Sequence, residues 1–251
     1  PRLVICWHGY GQSRKLFLPL LPLWGTDCRL VLIDLPLFGE SLWRDEALPI
    51  LPADLDAFLQ ALLVRYPAER VEMVAFSLGA KLALSLYQTT RVAIHKMVLI
   101  SPDGLRIHPL YRFCIYNPIG KALFYTVLRW PGFFLFILKA FYKMRITDPF
   151  KYRFVSLQFD APHKRALLKR VWQGNARMRP DLAAIARRSE ASGTAWHVIW
   201  GEADNVLPMK LCKDFIQKVN GAKLHVVSGG HFLLHPVRDD FRMVLLSILN
   251  S

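Results

Sequence analysis

Six runs of this chain are apolar along most of their length, and stretches of helical periodicity separate them. The runs are LVICWHG (3–9), RLVLIDLP (29–36), VEMVAFS (71–77), KMVLISP (96–102), AWHVIWG (195–201) and AKLHVVSG (222–229). Apolar residues recur at helical spacing over 55–65, 78–88, 209–219 and 237–249. A strand with one wet face alternates apolar and polar residues, so a strand that is apolar throughout must be covered on both faces. Strand and helix in turn imply an α/β fold, a mostly parallel sheet with helices on both faces. Functional groups in such a sheet gather in loops at the carboxyl ends of the strands.

The segment 105–178 breaks the alternation. It reads as short helices interrupted at Pro109, Pro118, Pro131-Gly132, Pro149 and Pro162. Its composition differs as well. The chain of 251 residues carries a formal net charge of +14, from 33 Lys+Arg against 19 Asp+Glu. Over 104–180 the count is 15 basic to 2 acidic, leaving 18 and 17 for all the rest. The same stretch holds 16 of the 31 aromatic residues. We therefore read 105–178 as an insertion that divides one core into a first part, 1–104, and a second, 179–251.

Inside it, WPGFFLFILKAFYKMR (130–145) invites a membrane-spanning reading. Arg129, Lys139 and Lys143 interrupt the apolar stretch well short of the ~20 residues a span needs. An interfacial or substrate-facing helix is the expectation. Cys6, Cys28, Cys114 and Cys212 lie far apart, without a CxxC pair or metal-ligand spacing. That usage suits reduced thiols and a cytoplasmic protein. No HExxH, no other ligand cluster and no glycine-rich phosphate loop is present, so no metal or cofactor is expected.

Within EMVAFSLGAKLALSLY (72–87) a single serine, Ser77, stands where an apolar strand gives way to a helix. A sharp strand-to-helix turn needs small residues two positions either side of its apex, and here those are Ala75 and Gly79. The plainer reading is a serine N-cap of an ordinary helix. A nucleophilic serine needs a base, and the base needs an acid to orient it. WGEADNVLP follows the fifth apolar run and offers Asp204; SGGHFLLHP follows the sixth and offers His231 between glycines and apolar residues. Asp103 in SPDG stands after another strand and is the alternative acid. Glu202 reads as loop structure, and His197 and His225 as strand residues of the core or a sheet face. His235 reads as packing against or capping the final helix.

The order Ser77, Asp204, His231, each after a strand, resembles the α/β-hydrolase family of serine hydrolases with an inserted lid. The motif is A-x-S-x-G, with Ala75 at the first position where glycine is usual. The resemblance covers nearly the whole chain and is weakest over 105–178. It implies a catalytic triad of Ser77, Asp204 and His231. It also implies an oxyanion hole made by the backbone N–H groups of Tyr10, in HGYGQS, and Leu78, with His8 ordering that loop. DLPLFGES (34–41) matches the second-strand loop, with Leu37 where a glycine is common. Two further strands are expected before the first one present here, and hence an N-terminal piece outside this sequence. A serine at the turn argues against dehalogenase or epoxide hydrolase chemistry, which uses Asp there in this family.

By the same resemblance 105–178 is a helical cap that shapes the substrate pocket. Its aromatic content suits a lipophilic substrate, although such residues also serve a small core. Its positive charge suits an anionic membrane surface, an acidic carrier protein or an anionic substrate. Charge alone would admit nucleic acid, but no recognition motif accompanies it, and nucleic acid is not expected. The expected function is hydrolysis of carboxylic esters or thioesters with a hydrophobic acyl group. The alternatives are carbon–carbon bond hydrolysis of ring-cleavage diketones, acyl-carrier ester hydrolysis, and a receptor that binds without turnover. A cytoplasmic place, with membrane association through the basic cap, completes the expectation.

Overall fold

The computed structural model describes residues 2–44, 47–234 and 237–250. Within it the six apolar runs form β1 (Arg2–Trp7), β2 (Cys28–Ile33), β3 (Arg70–Phe76), β4 (Ile94–Ile100), β5 (Ala195–Gly201) and β6 (Lys223–Val227). The helices are α1 (Pro52–Arg65), α2 (Leu78–Tyr87), α3 (Pro109–Tyr116), α4 (Pro118–Arg129) and α5 (Pro131–Lys143). Then follow α6 (Pro149–Phe159), α7 (Pro162–Gly174), α8 (Leu182–Ser192), α9 (Met209–Lys218) and α10 (Asp239–Leu249). The strands form one parallel sheet in the order β2-β1-β3-β4-β5-β6. Strand order reverses at β1, which opens a crevice at the carboxyl ends of β1 and β3, the usual place for a site in such sheets.

Side chains alternate faces along each strand, so Val4 and Cys6, Val74 and Phe76, and Val98 and Ile100 look to one side. There they meet Phe17 and Leu20 together with Phe241, Leu245 and Ile248 of α10. Full burial of each such side chain stabilises the fold by about 1.5–3 kcal/mol. On the other side Trp7 packs edge-on to Phe58 of α1, with ring centres 6.5 Å apart. Trp196 meets Tyr87 of α2 at 4.8 Å and Phe215 of α9 at 5.5 Å. Its indole N–H donates to Ser189 Oγ of α8 (2.8 Å), so helices cover both faces.

Several boundaries move from their sequence-based positions. Helix α1 starts at Pro52 rather than 55, because proline suits the first helical position and the Asp54 carboxylate accepts the Leu51 N–H (2.7 Å). Helix α10 starts at Asp239 rather than 237, since Val237 forms a short antiparallel bridge with Leu234. Arg14–Leu23, which the periodicity left unassigned, is a 3-10 stretch with Pro19 and Pro22 inside it. Helix α8 was not foreseen. Asp181 caps it through the N–H groups of Ala183 and Ala184, and Gly193 closes it at φ 65°. The expectation for His235 falls outside the described residues.

The chain divides into two compact units. One holds the residues up to Leu42, Leu51–Arg106 and those from Met178 onward; the other holds Trp43–Ile50 and Ile107–Arg177. The sequence reading left 43–50 with the core. In the structure the Ile50 N–H donates to Gly174 O (2.9 Å) and Arg170 Nη2 to Trp43 O (3.0 Å), tying that excursion to the second unit. All five helices α3 to α7 begin on a proline. Proline lacks an N–H where the helix has no partner for one, so the residues that interrupt the pattern are its start signals. Among the described residues no single helix is long and apolar enough to cross a membrane.

Candidate active site

β3 ends at Phe76, and Ser77 turns the chain into α2 with φ 49° and ψ −117°. A non-glycine residue in such a region costs of order 1–3 kcal/mol, so its surroundings must fix it. The Ser77 N–H donates to Ile100 O, and Ser77 O accepts from Ala80 and Asp103, each at 3.0 Å. Ala75 is fully buried, and a Cβ at Gly79 would stand 2.4 Å from Trp7 O. A glycine at 79 is therefore demanded by the close packing of α2 on the end of β1. The Ser77 side chain does not cap α2. Its Oγ lies 2.9 Å from His231 Nε2.

Asp204 and His231 reach the serine from strands two and three places away. The Asp204 N–H donates to Gly201 O (3.1 Å), and its Oδ1 accepts from Val206 and Leu207, both at 2.9 Å. Oδ2 is left for His231 Nδ1 at 2.8 Å. The acid side chain is fully shielded from solvent and the imidazole 5% exposed. To get there the loop after β6 crosses β5 at Gly201, where a Cβ would stand 2.3 Å from Gly230 O. Gly229 makes the bend at φ 125°. Phe76 and Phe232 pack on the imidazole, each with its ring centre 5.4 Å away.

A carboxylate accepts only, so the Nδ1 proton belongs on the Asp204 side and Nε2 is free to accept from the serine hydroxyl. Burial would raise the Asp204 pKa. The His231 hydrogen bond and charge, with the N–H groups of Leu207 and Val206, outweigh it and hold the carboxyl below its ordinary value.

His8 is fully buried at the end of β1. Its Nε2 accepts the Leu35 N–H (2.9 Å), which leaves Nδ1 to donate to Gly9 O (2.7 Å). Burial lowers its pKa, though the bond to Gly9 opposes this, so the neutral tautomer pins the HGYG loop to the end of β2. Gln12, which the motif reading passed over, adds an Oε1 acceptor for the Gly9 N–H (3.1 Å). Tyr10 follows on this loop, edge-on to Phe38 with ring centres 5.6 Å apart. Leu78 opens α2, so its N–H belongs to the first turn, where helix donors have no internal acceptor. Leu37, the residue in place of a common glycine, keeps a glycine-like φ of 76°.

The side chains of the remaining candidates are engaged elsewhere, although the Asp103 backbone N–H donates to Ser77 O. Asp103 Oδ1 accepts the Gly104 N–H (2.7 Å), and its charge acts on Lys81. Lys81 is a buried base that sequence reasoning missed, although a lone cation inside SLGAKLALSLY signals it. Burial lowers its pKa, and the Asp103 charge works against that. His197 and His225 stack on neighbouring strands with Nδ1 and Nε2 3.1 Å apart. Among the described residues no group of three His, Cys, Asp or Glu side chains could hold a metal ion.

A profile of the alpha/beta hydrolase family matches residues 4–242. The chain belongs to that family. A curated relative, the uncharacterized hydrolase YugF of Bacillus subtilis strain 168, is 21% identical over 213 residues, covering 84% of this chain and 76% of its own. Among solved structures, MenH from S. aureus superposes with a TM-score of 0.70 at 17% identity, over 99% of this chain and 93% of its own. An esterase (EaEST) from Exiguobacterium antarcticum gives a TM-score of 0.65 at 16% identity, over 100% and 92%. At these identities the structural likeness speaks for the fold, and this hydrolase's own residues must speak for its chemistry.

Proposed function

We propose that this hydrolase cleaves carboxylic esters or thioesters with a lipophilic acyl group through an acyl-enzyme on Ser77. One observation carries the reading. Ser77 holds a strained turn at φ 49°, and its hydroxyl faces His231 Nε2 rather than capping the helix it begins. A cap serine needs no strain and would bond the first-turn N–H groups. The name of the E. antarcticum esterase, on the same fold, is in keeping with this chemistry.

In the proposed reaction the Ser77 Oγ adds to the substrate carbonyl carbon while His231 Nε2 takes the hydroxyl proton. Asp204 holds the imidazole in place and stabilises the imidazolium. The carbonyl oxygen becomes an oxyanion, which the N–H groups of Tyr10 and Leu78 receive; losing one such donor typically costs about 3–4 kcal/mol. Collapse expels the alcohol or thiol, which takes the proton from His231 and leaves the acyl group on Ser77. A water molecule then repeats the sequence, giving its proton to His231 and its oxygen to the acyl carbon. The carboxylic acid departs and Ser77 regains its proton.

The test is steady-state turnover of p-nitrophenyl esters and matching thioesters of rising acyl length by wild type and Ser77→Ala protein. Wild type is expected to turn over the panel, with longer acyl chains preferred, and the variant to fall by about 10^4-fold or more. A wild-type protein inert toward every ester and thioester would overturn the proposal.

A further inference from the structure

Helix α5, Pro131–Lys143, has the sequence PGFFLFILKAFYK and yet no buried residue. Phe133 is 76% exposed and Phe136 70%, and Trp130, just before the helix, is 67% exposed. On α4, Ile119 and Leu123 are 75% and 55% exposed, one helical turn apart. One face of α5 is half-buried against α6, where Phe134 meets Phe159 with ring centres 4.7 Å apart. Scattered apolar residues on a surface need no explanation, but the row of exposed aromatics on its other face does. The two helices meet at 93° and have 12 and 13 residues. At 1.5 Å per residue each falls short of a bilayer core of about 30 Å.

Charge accompanies the apolar surface. Residues 107–177 hold 13 Lys+Arg and two acids, Asp148 and Asp160. Those acids pair with Lys151 (3.2 Å) and Lys164 (2.8 Å). On α5, Lys139 and Lys143 follow Phe136 at spacings of three and seven, so they edge the same stripe. Between α4 and α7 lies an open cleft of about 490 Å³ lined by Tyr125, Arg129, Arg165 and Lys169, with no acid in its wall. Lys121 and Lys169 flank Tyr125 there, 5.8 and 5.0 Å from its ring centre.

The geometry points to an anionic phospholipid surface as the partner of this unit. Trp130, Phe133 and Phe136 enter the boundary between headgroups and acyl chains, and Lys139 and Lys143 extend back to the phosphates. The cleft of Arg129, Arg165 and Lys169 takes a headgroup phosphate. A second copy of the chain could cover the aromatic stripe but brings the same positive excess against the basic edge. A nucleic acid backbone answers the charge but leaves the aromatic stripe facing polar groups, and an acidic protein would need an apolar patch of matching shape beside its acids. A bilayer with anionic headgroups matches both at once, acyl chains for the stripe and phosphates for the bases. The inference does not depend on which bond the hydrolase breaks.

Co-sedimentation of the full chain with phosphatidylcholine vesicles, with and without about one-third phosphatidylglycerol, tests it. Wild type is expected to pellet with the anionic vesicles at low salt and far less with the neutral ones. Each basic residue at such a surface adds roughly fivefold to partitioning, so Lys139→Gln with Lys143→Gln should lower it about tenfold or more, and salt should erase the difference. Phe133→Ser with Phe136→Ser should lower it at least about tenfold while circular dichroism stays unchanged. Brominated lipid should quench wild-type tryptophan emission, and Trp130→Phe should remove that component. The inference is overturned if wild type ignores anionic vesicles, or if the double serine variant partitions like wild type. Capture of an acidic carrier protein without vesicle binding would overturn it equally.

Discussion

Ser77 keeps a backbone conformation that its side chain disfavours, and its hydroxyl is the only atom of the turn that a glycine or alanine could not supply. Two substitutions separate strain from chemistry. Ser77→Gly removes the steric cost and Ser77→Ala retains it, so the glycine variant should be more stable by about 1 kcal/mol in urea unfolding, with both inactive. Equal stability would mean that the turn is not strained. The neighbouring acids give a second comparison. Asp204 shares a hydrogen bond with His231, whereas Asp103 lies beside Lys81. Asp204→Asn should lower kcat/KM by about 10^3 to 10^4 and Asp103→Asn by less than about tenfold. The reverse order would move the orienting acid to the loop after β4. His8, a conspicuous histidine in the HGYG motif, spends both ring nitrogens on backbone groups and so stays a support for its loop.

At the scale of elements, two close approaches fix the site. Gly79 lets α2 lie against the end of β1, and Gly201 lets the histidine loop cross β5. Gly201→Ala should push that loop away and lower kcat at least about tenfold, with a loss of stability beside it, because the collision is with the backbone of the loop that carries His231. Gly79→Ala meets the backbone of a central strand and should cost about 1–3 kcal/mol of stability, read from urea unfolding. Unchanged kcat for the first, or unchanged stability for the second, would show those contacts to be slack. The strands were legible because each is apolar along most of its length, and the order of Ser77, Asp204 and His231 was legible because each follows a strand. Helix α8 was not, since LAAIARRSEAS has too few large apolar residues to show a stripe, although Asp181 and Gly193 mark both its ends. The prolines of 107–177 looked like breaks and are starts. The pairing of Ser77 with His231 is a fact of the sheet order, which no local pattern in the sequence contains.

For the molecule as a whole, pH should act on stability through the sheet as well as through the site. Burial, the His225 and Lys96 charges and then Lys223 hold His197 down to about 4 from 6.5. Burial and Lys223 also lower His225. A depressed histidine is neutral in the fold and takes up its proton more readily when unfolded. Its stabilisation is therefore complete above pH 6.5 and declines as pH falls from there toward 4. One such proton contributes at most about 1.4 kcal/mol per pH unit. The urea-unfolding free energy should drop between pH 7 and pH 5, and less so in His197→Gln; an equal drop would place the acid sensitivity elsewhere. Charge divides the chain in another way, with the positive excess concentrated in 104–180 and near balance elsewhere. That division keeps the chemistry proposed at Ser77 in one unit and the surface proposed for lipid in the other. Peptide mapping after exposure to a fluorophosphonate tests the role of Ser77 most directly. A single adduct on Ser77, absent from Ser77→Ala protein that remains folded and has lost ester turnover, is the expected result. An adduct on a different residue, or undiminished hydrolysis by purified Ser77→Ala protein, would contradict it.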